Sequence, residues 1–165
     1  MTNLRYKVVE DFPKKGVSFV DFTPTFIDNE IMSSIASIFM KLTDNLKIDY
    51  IVCPESRGFI LGYYLSCYTG YSCIPIRKHG KLPIIGSSVE YETEYSTETL
   101  DIPNVDLTNK ICLFVDDVYA TGGTYKACKQ LVENQGGKMI GLFCLYDVLI
   151  DSNPNLFSIM TRNDI

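Results

Sequence analysis

The chain has no tryptophan and a single histidine, His79, among its 165 residues. A three-histidine zinc site and a relay of imidazoles are therefore excluded by counting. Its six cysteines, Cys53, Cys67, Cys73, Cys112, Cys128 and Cys144, form no Cys-x-x-Cys pair. Most sit in apolar stretches such as Ile111-Cys112-Leu113-Phe114, so they read as small buried hydrophobes of a reducing compartment, not as zinc ligands or a redox couple. Positive charge is also scarce: 15 Lys and Arg against 20 Asp and Glu give a net charge of −5. Non-specific nucleic-acid binding depends on neutralising phosphates, and no nucleic-acid partner is expected. No apolar signal-like run opens the chain, where Arg5, Lys7, Glu10 and Asp11 crowd together. The uncharged stretch Gly58 to Ile76 is broken by Gly70 and Pro75 and holds Ser66, Thr69 and Ser72, too polar for a membrane span. A cytoplasmic chain with no membrane partner is the expectation.

What remains is a composition suited to one domain, residues 1–165, with 46% hydrophobic and 21% charged residues. Apolar residues recur at helical spacing from Asn29 to Leu46. Short apolar runs at Asp49 to Cys53, Ser72 to Ile76, Ile111 to Val115 and Met139 to Tyr146 read as strands, the third as a central parallel one. Helices are predicted over Arg57 to Thr69, stopped by Gly70, and over Thr124 to Asn134, stopped by Gly136-Gly137. Glu90 to Tyr95 and Thr97 to Ile102 suggest a polar ribbon, preceded by a flexible Gly86-Ser87-Ser88. Alternating strands and helices define an α/β fold with a central, mostly parallel sheet flanked by helices. Its chemistry is expected just beyond the carboxyl ends of the strands.

The most informative segment is Leu113-Phe114-Val115-Asp116-Asp117-Val118-Tyr119-Ala120-Thr121-Gly122-Gly123-Thr124. An apolar strand delivers two carboxylates, and a turn of small residues then opens a helix. From Ala120 through Thr121, Gly122, Gly123 and Thr124, backbone N–H groups, hydroxyls and the helix dipole can cradle a phosphate. The spacing is neither that of a Walker loop nor that of a dinucleotide fingerprint. Two acids beside such a cradle would repel a bare phosphate. They suit a neutral hydroxylated group such as a ribose, or Mg²⁺ held through water near Asp116 and Asp117 with no direct protein cage. A sugar phosphate satisfies both halves; an acidic turn before a Thr-capped helix would share the local pattern.

Charge elsewhere is segregated. Arg57 follows a strand end, Arg77, Lys78 and Lys81 cluster, and no acid occurs from Tyr71 to Val89. Such a cluster repels itself unless an anion or solvent screens it. The next stretch inverts the sign, with Glu90, Glu92, Glu94, Glu98 and Asp101 and no Lys or Arg from Leu82 to Asn109. His79, inside the basic loop, reads as a bystander.

The acid–glycine segment resembles the phosphoribosyl-pyrophosphate (PRPP) signature of type I phosphoribosyltransferases. Four further motifs narrow the resemblance to the adenine phosphoribosyltransferase family. They are Asp11-Phe12-Pro13 with Gly16 to Pro24, Glu55-Ser56-Arg57-Gly58-Phe59, Ile76-Arg77-Lys78-His79-Gly80-Lys81-Leu82-Pro83, and Tyr91 to Ile102. The resemblance implies a type I fold with a small N-terminal base-binding hood over about residues 1–28 and a flexible β-ribbon lid over about 78–104. It implies transfer of a phosphoribosyl group from PRPP to a purine, with Mg²⁺ as cofactor and a homodimer as the assembly. On this basis Ala120, Thr121, Gly122, Gly123 and Thr124 hold the 5′-phosphate, with Asp116 and Asp117 on the ribose. Glu55, Ser56, Arg57, Arg77, Lys78 and Lys81 receive pyrophosphate, with Arg77 reaching across the dimer and a non-proline cis peptide at Glu55–Ser56. Val17, Ser18, Phe19 and Val118 hold the base. Arg57 and Glu94 are the catalytic residues, Glu94 handling the base proton from the lid beside Tyr95. Two positions depart from the family pattern, Val20 where arginine is common and Ser96 where glycine is common. Adenine is the expected base; another purine (guanine or hypoxanthine), or a non-catalytic PRPP- or nucleotide-sensing module, are the alternatives.

Overall fold

The structure, a computed structural model, describes residues 3–92, 97–148 and 156–164. In chain order the elements are β1 (Lys7–Val9), β2 (Phe19–Asp21), α1 (Thr23–Phe26), α2 (Asn29–Thr43), β3 (Tyr50–Pro54), α3 (Arg57–Thr69), β4 (Ser72–Lys78), β5 (Ile85–Glu92), β6 (Thr97–Pro103), β7 (Ile111–Tyr119), α4 (Gly123–Asn134), β8 (Lys138–Asp147) and β9 (Leu156–Thr161). The main sheet runs β5-β6-β4-β3-β7-β8-β9. Strands β4, β3, β7, β8 and β9 are mutually parallel, and the β5–β6 ribbon joins the β4 edge antiparallel.

The continuous apolar runs have a direct cause. Successive strand residues point to opposite faces, and here both faces are covered. In β7, Leu113 and Val115 enter the core beneath α2 and α3, whereas Cys112 and Phe114 enter the core beneath α4. In β8, Phe143 and Leu145 share the first core and Leu142 and Cys144 the second. Phe39 of α2 meets Phe143 edge-on, ring centroids 5.0 Å apart. Each fully buried aliphatic or aromatic side chain contributes roughly 1.5–3 kcal/mol by leaving water, which keeps these strands central.

The helices start and stop for local reasons. Asp28 caps α2, its carboxylate accepting from the amides of Glu30 and Ile31 at 3.1 Å each. The buried stripe of α2 is Met32, Ile35, Ala36, Phe39 and Thr43, and Leu42 faces outward. Thr43 is tolerated inside because its hydroxyl donates to the Phe39 carbonyl at 2.9 Å. α3 ends at Gly70, in the left-handed region at φ 81°, whose amide closes on the Ser66 carbonyl.

Three features differ from the sequence expectation. β7 continues through Asp116 and Asp117 to Tyr119, so the acids lie on the strand, not after it. Gly86, Ser87 and Ser88, expected as flexible loop, belong to β5, where Gly86 lies close against the Pro103 carbonyl. A small separate sheet, β1 paired antiparallel with β2, and the edge strand β9 carried no strong pattern of their own.

Candidate active site

The carboxyl ends of β3, β4 and β7 converge on one cavity of about 410 Å³ lined by Glu55, Ser56, Arg57, Lys78, Asp116, Asp117 and Thr124. A second cavity of about 300 Å³ lies between Val17, Ser18, Phe19 and Val118. Arg57, Val118 and Ala120 line both, so the two cavities meet at the first turn of α3 and the end of β7.

Arg57 occupies that junction. Its Nε stands 3.0 Å from Asp117 Oδ2, and its Nη1 donates to the Val20 carbonyl at 3.0 Å. Its guanidinium lies over the Phe19 ring, 4.5 Å from the centroid, a cation–π contact. The contact with Asp117 is at ion-pair distance, but it lacks hydrogen-bond alignment and leaves Oδ2 without a bonded donor. α3 can approach this closely because residue 58 is glycine: a Cβ there would stand 3.0 Å from Asp116 Oδ1 and 2.7 Å from Pro54 Cδ. The Glu55–Ser56 peptide is cis, as is Phe12–Pro13.

The two acids are electrostatically frustrated. Burial, and then the neighbouring charge of Asp117, push the Asp116 carboxyl well above the ordinary carboxylate range. Burial also raises Asp117, against the opposing pull of Arg57. Because the free site disfavours both charges, a ligand that brings a cation or hydroxyl donors favours the ionised pair. The sign follows: such a ligand releases protons on binding, and its affinity falls as pH drops through the raised range. Calorimetry of PRPP with Mg²⁺, repeated in buffers of different ionisation enthalpy, is expected to show proton release that Asp117→Asn diminishes. Proton uptake, or release unchanged in the variant, would contradict this.

At the end of β7, Gly122 takes φ 77° and precedes α4 without any side-chain cap. The start of α4 thus has the uncapped backbone that an anion-binding turn requires. Gly123 donates only a long contact, 3.4 Å, to Thr121 Oγ1. The ribbon leans on this turn: a Cβ on Gly123 would stand 2.9 Å from the Glu92 carbonyl oxygen and 3.4 Å from the Tyr91 ring. Tyr91 hydrogen-bonds the side chain of Thr124 and faces the larger cavity.

The basic cluster is not left bare. Arg77 Nε donates to Glu55 Oε2 at 3.0 Å, and Lys78 Nζ pairs with Glu98 at 3.2 Å. Hydrogen bonds from Arg77 and from the Lys78 amide hold the Glu55 carboxyl below its usual range. Lys78 lines the larger cavity, whereas Arg77 and Lys81 line neither described cavity, and Arg77 lies 5.8 Å from the Phe59 centroid. His79 lines neither described cavity, and its Nδ1 is 3.1 Å from Asp101 Oδ1. Glu94 and Tyr95 lie outside the described residues. Sequence reasoning missed Tyr146 and Val148, which line the smaller cavity. Both follow or end β8, and the rule that ligands sit at strand carboxyl ends could have found them.

A mostly parallel sheet with paired acids and a glycine turn at one strand end is the architecture of a phosphoribosyl-transferring class of fold, and the family model described as a phosphoribosyl transferase domain matches residues 26–160. An adenine phosphoribosyltransferase of Malacoplasma penetrans is 41% identical over 142 residues, 86% of this chain and 83% of that protein. The crystal structure of adenine phosphoribosyltransferase from Thermoanaerobacter pseudethanolicus superposes with TM-score 0.88 at 35% identity, covering 94% of this chain and 95% of that one. The enzyme of Saccharomyces cerevisiae, crystallised with an imino-altritol bisphosphate and adenine, gives TM-score 0.85 at 30% identity over 93% of both chains. The chain belongs to the adenine phosphoribosyltransferase family.

Proposed function

We propose that the chain transfers the phosphoribosyl group of PRPP to adenine, giving AMP and pyrophosphate. The observation that carries this is the junction at Arg57, where a cavity bounded by Phe19 and Val118 opens into one holding Asp116, Asp117 and Thr124. The Saccharomyces relative binds adenine together with a bisphosphate, the same pairing of a flat base with two phosphate groups.

In this reading the 5′-phosphate rests on the turn from Ala120 to Thr124, and Asp116 and Asp117 accept from the ribose hydroxyls. Adenine lies in the Phe19–Val118 cavity, contacted by Val17 and Ser18. As the bond from C1 of the ribose to pyrophosphate breaks, a bond to N9 of the base forms and the N9 proton leaves, taken up by Glu94. Arg57, Lys78 and Lys81 stabilise the charge gathering on pyrophosphate, with Glu55 and Ser56 framing that subsite. Residues 1–28 serve as a hood and residues 78–104 as a lid with Tyr95, whose closure keeps water from the sugar.

Mg²⁺ fits this site as part of the PRPP complex. Among the described residues no group of three or more His, Cys, Asp or Glu could cage a metal, but the paired oxygens of Asp116 and Asp117 suit a hydrated ion that keeps its waters and binds mainly to substrate phosphates. When bound, the ion supplies charge neutralisation on the departing pyrophosphate.

Homodimerisation is supported by the outer face of α3, which exposes Ile60, Tyr63 and Tyr68, and Arg77 is free of the cavities to serve a partner's pyrophosphate. No described helix is long and apolar enough to cross a membrane, and the six cysteines are all free, which suits the cytoplasm.

The departure at Val20 favours a second base reading for a specific reason. Valine has no charged or polar side-chain atom, so nothing on that side chain can pair with the base; the residue is 9% exposed and gives its carbonyl to Arg57. A panel of adenine, guanine and hypoxanthine with PRPP and Mg²⁺, followed by pyrophosphate release, tests both. Turnover of adenine alone is expected; activity confined to the 6-oxopurines would replace adenine, and no pyrophosphate release with any of the three bases would end the transferase reading.

A further inference from the structure

Asp101 is a wholly buried carboxylate, 0% exposed, that the proposed chemistry does not use. It lies on β6 where three strands meet, opposite Arg77 of β4 and Ser88 of β5. Its oxygens receive donors from both sides. Oδ1 accepts from Ser88 Oγ at 2.7 Å and lies 3.1 Å from His79 Nδ1. Oδ2 accepts from the Gly80 amide at 3.3 Å. Burial pushes the carboxyl up, but the bonds from Ser88 and His79 outweigh it and hold it below its ordinary range. An ionised carboxylate only accepts, so the imidazole must present an Nδ1–H to it.

The same contacts account for the backbone of the basic loop. The Lys78 amide donates to Glu55 Oε2 at 3.0 Å. The His79 amide donates to the Thr99 carbonyl, the Gly80 amide to Asp101, and the Lys81 amide to the Lys78 carbonyl. All four amides of residues 78–81 are thus tied, and two of the ties end on carboxylates far away in sequence. Glu55 ties the loop to the end of β3, and Asp101 ties it to the root of the ribbon.

We infer that Asp101 is a positioning residue that, through Gly80, His79 and Ser88, holds the Lys78–Lys81 loop in its anion-receiving conformation. This rests on the reading of that loop as the pyrophosphate subsite. A carboxylate suits this position because it accepts at once from the Gly80 amide, which can only donate, and from Ser88 and His79. An asparagine would keep one oxygen and set its NH₂ either against the Gly80 amide, donor against donor, or against the Ser88–His79 pair, which could then accept only by turning the hydroxyl and switching the imidazole tautomer; either way the charge-assisted bonds are lost.

The test compares wild-type protein with Asp101→Asn and Ser88→Ala, measuring binding of pyrophosphate with Mg²⁺ and, separately, of AMP. AMP fills the base and 5′-phosphate subsites and does not reach the basic loop, so it reports general damage. Asp101→Asn is expected to weaken pyrophosphate binding about tenfold, the scale of one charge-assisted hydrogen bond, and to raise the KM for PRPP more than it lowers kcat. AMP binding should stay within about twofold, and Ser88→Ala should weaken pyrophosphate by a smaller factor in the same direction. Equal loss of AMP and pyrophosphate binding, or unchanged pyrophosphate binding, would overturn the inference. If Asp101→Asn does not fold, Ser88→Ala and His79→Gln decide: selective weakening of pyrophosphate supports it, and none refutes it. Failure of wild-type protein to turn over any purine would instead remove the functional reading, a separate outcome.

Discussion

Arg57→Ala is expected to lower kcat/KM for PRPP by roughly 10²–10³-fold, the effect of removing one donor aimed at developing charge. The variant loses three contacts at once: the ion pair to Asp117, the hydrogen bond to the Val20 carbonyl and the face of Phe19. It therefore uncouples β2 from the strand that carries the acids. Stability should fall by about 1–2 kcal/mol, less than the 3–5 kcal/mol of a fully buried pair. The discount has two causes: the Arg57 side chain is 33% exposed, and Asp117, already raised by burial, can take a proton once its partner is gone. Arg57→Lys should restore part of the stability and little of the activity, because one ammonium cannot fork between Asp117 and Val20 while stacking on Phe19. Steady-state kinetics and urea unfolding of both variants check these outcomes; wild-type kcat/KM in Arg57→Ala would remove the residue from the site.

Gly123→Val is expected to raise the KM for PRPP about 100-fold, the cost of a misplacement near 1 Å in a positioned site. The added Cβ would stand 2.9 Å from the Glu92 carbonyl oxygen. That atom is backbone and cannot rotate away, so either β5 or the start of α4 must move. The sequence placed this glycine in a candidate phosphate cradle; the fold adds that the ribbon packs against it. AMP and PRPP binding should weaken together, since both present a 5′-phosphate to this turn, and Gly123→Ala should be intermediate. Titration of each ligand by calorimetry measures this, and wild-type affinity in the valine variant would displace the phosphate site from the turn.

These two expectations draw on information of different range. Thr121-Gly122-Gly123-Thr124 after an apolar strand was readable because the chemistry is contiguous: the strand, the left-handed glycine and the helix start lie within one short segment. The same is true of α3, whose limits at Arg57 and Thr69 are set by the strand before it and by Gly70 after it. Arg57 could be proposed as an anion ligand from its place after β3, but its partners could not be read, since Val20 is 37 positions away. The pairing of Lys78 with Glu98 and of Arg77 with Glu55 was likewise hidden. Local composition showed a basic run followed by an acidic one and could not show that strand pairing folds one back onto the other.

The sequence by itself determined the layered α/β architecture, the central strands and the acid–glycine turn, because periodic burial and turn chemistry act between near neighbours. Tertiary structure alone decided which acid meets which base, that Tyr146 lines the cavity beside Phe19 and Val118, and that Asp101 lies buried beside Ser88, His79 and Gly80. Those contacts join residues that the chain separates widely. Only the register of β4, β5 and β6 brings His79, Ser88 and Asp101 to one point.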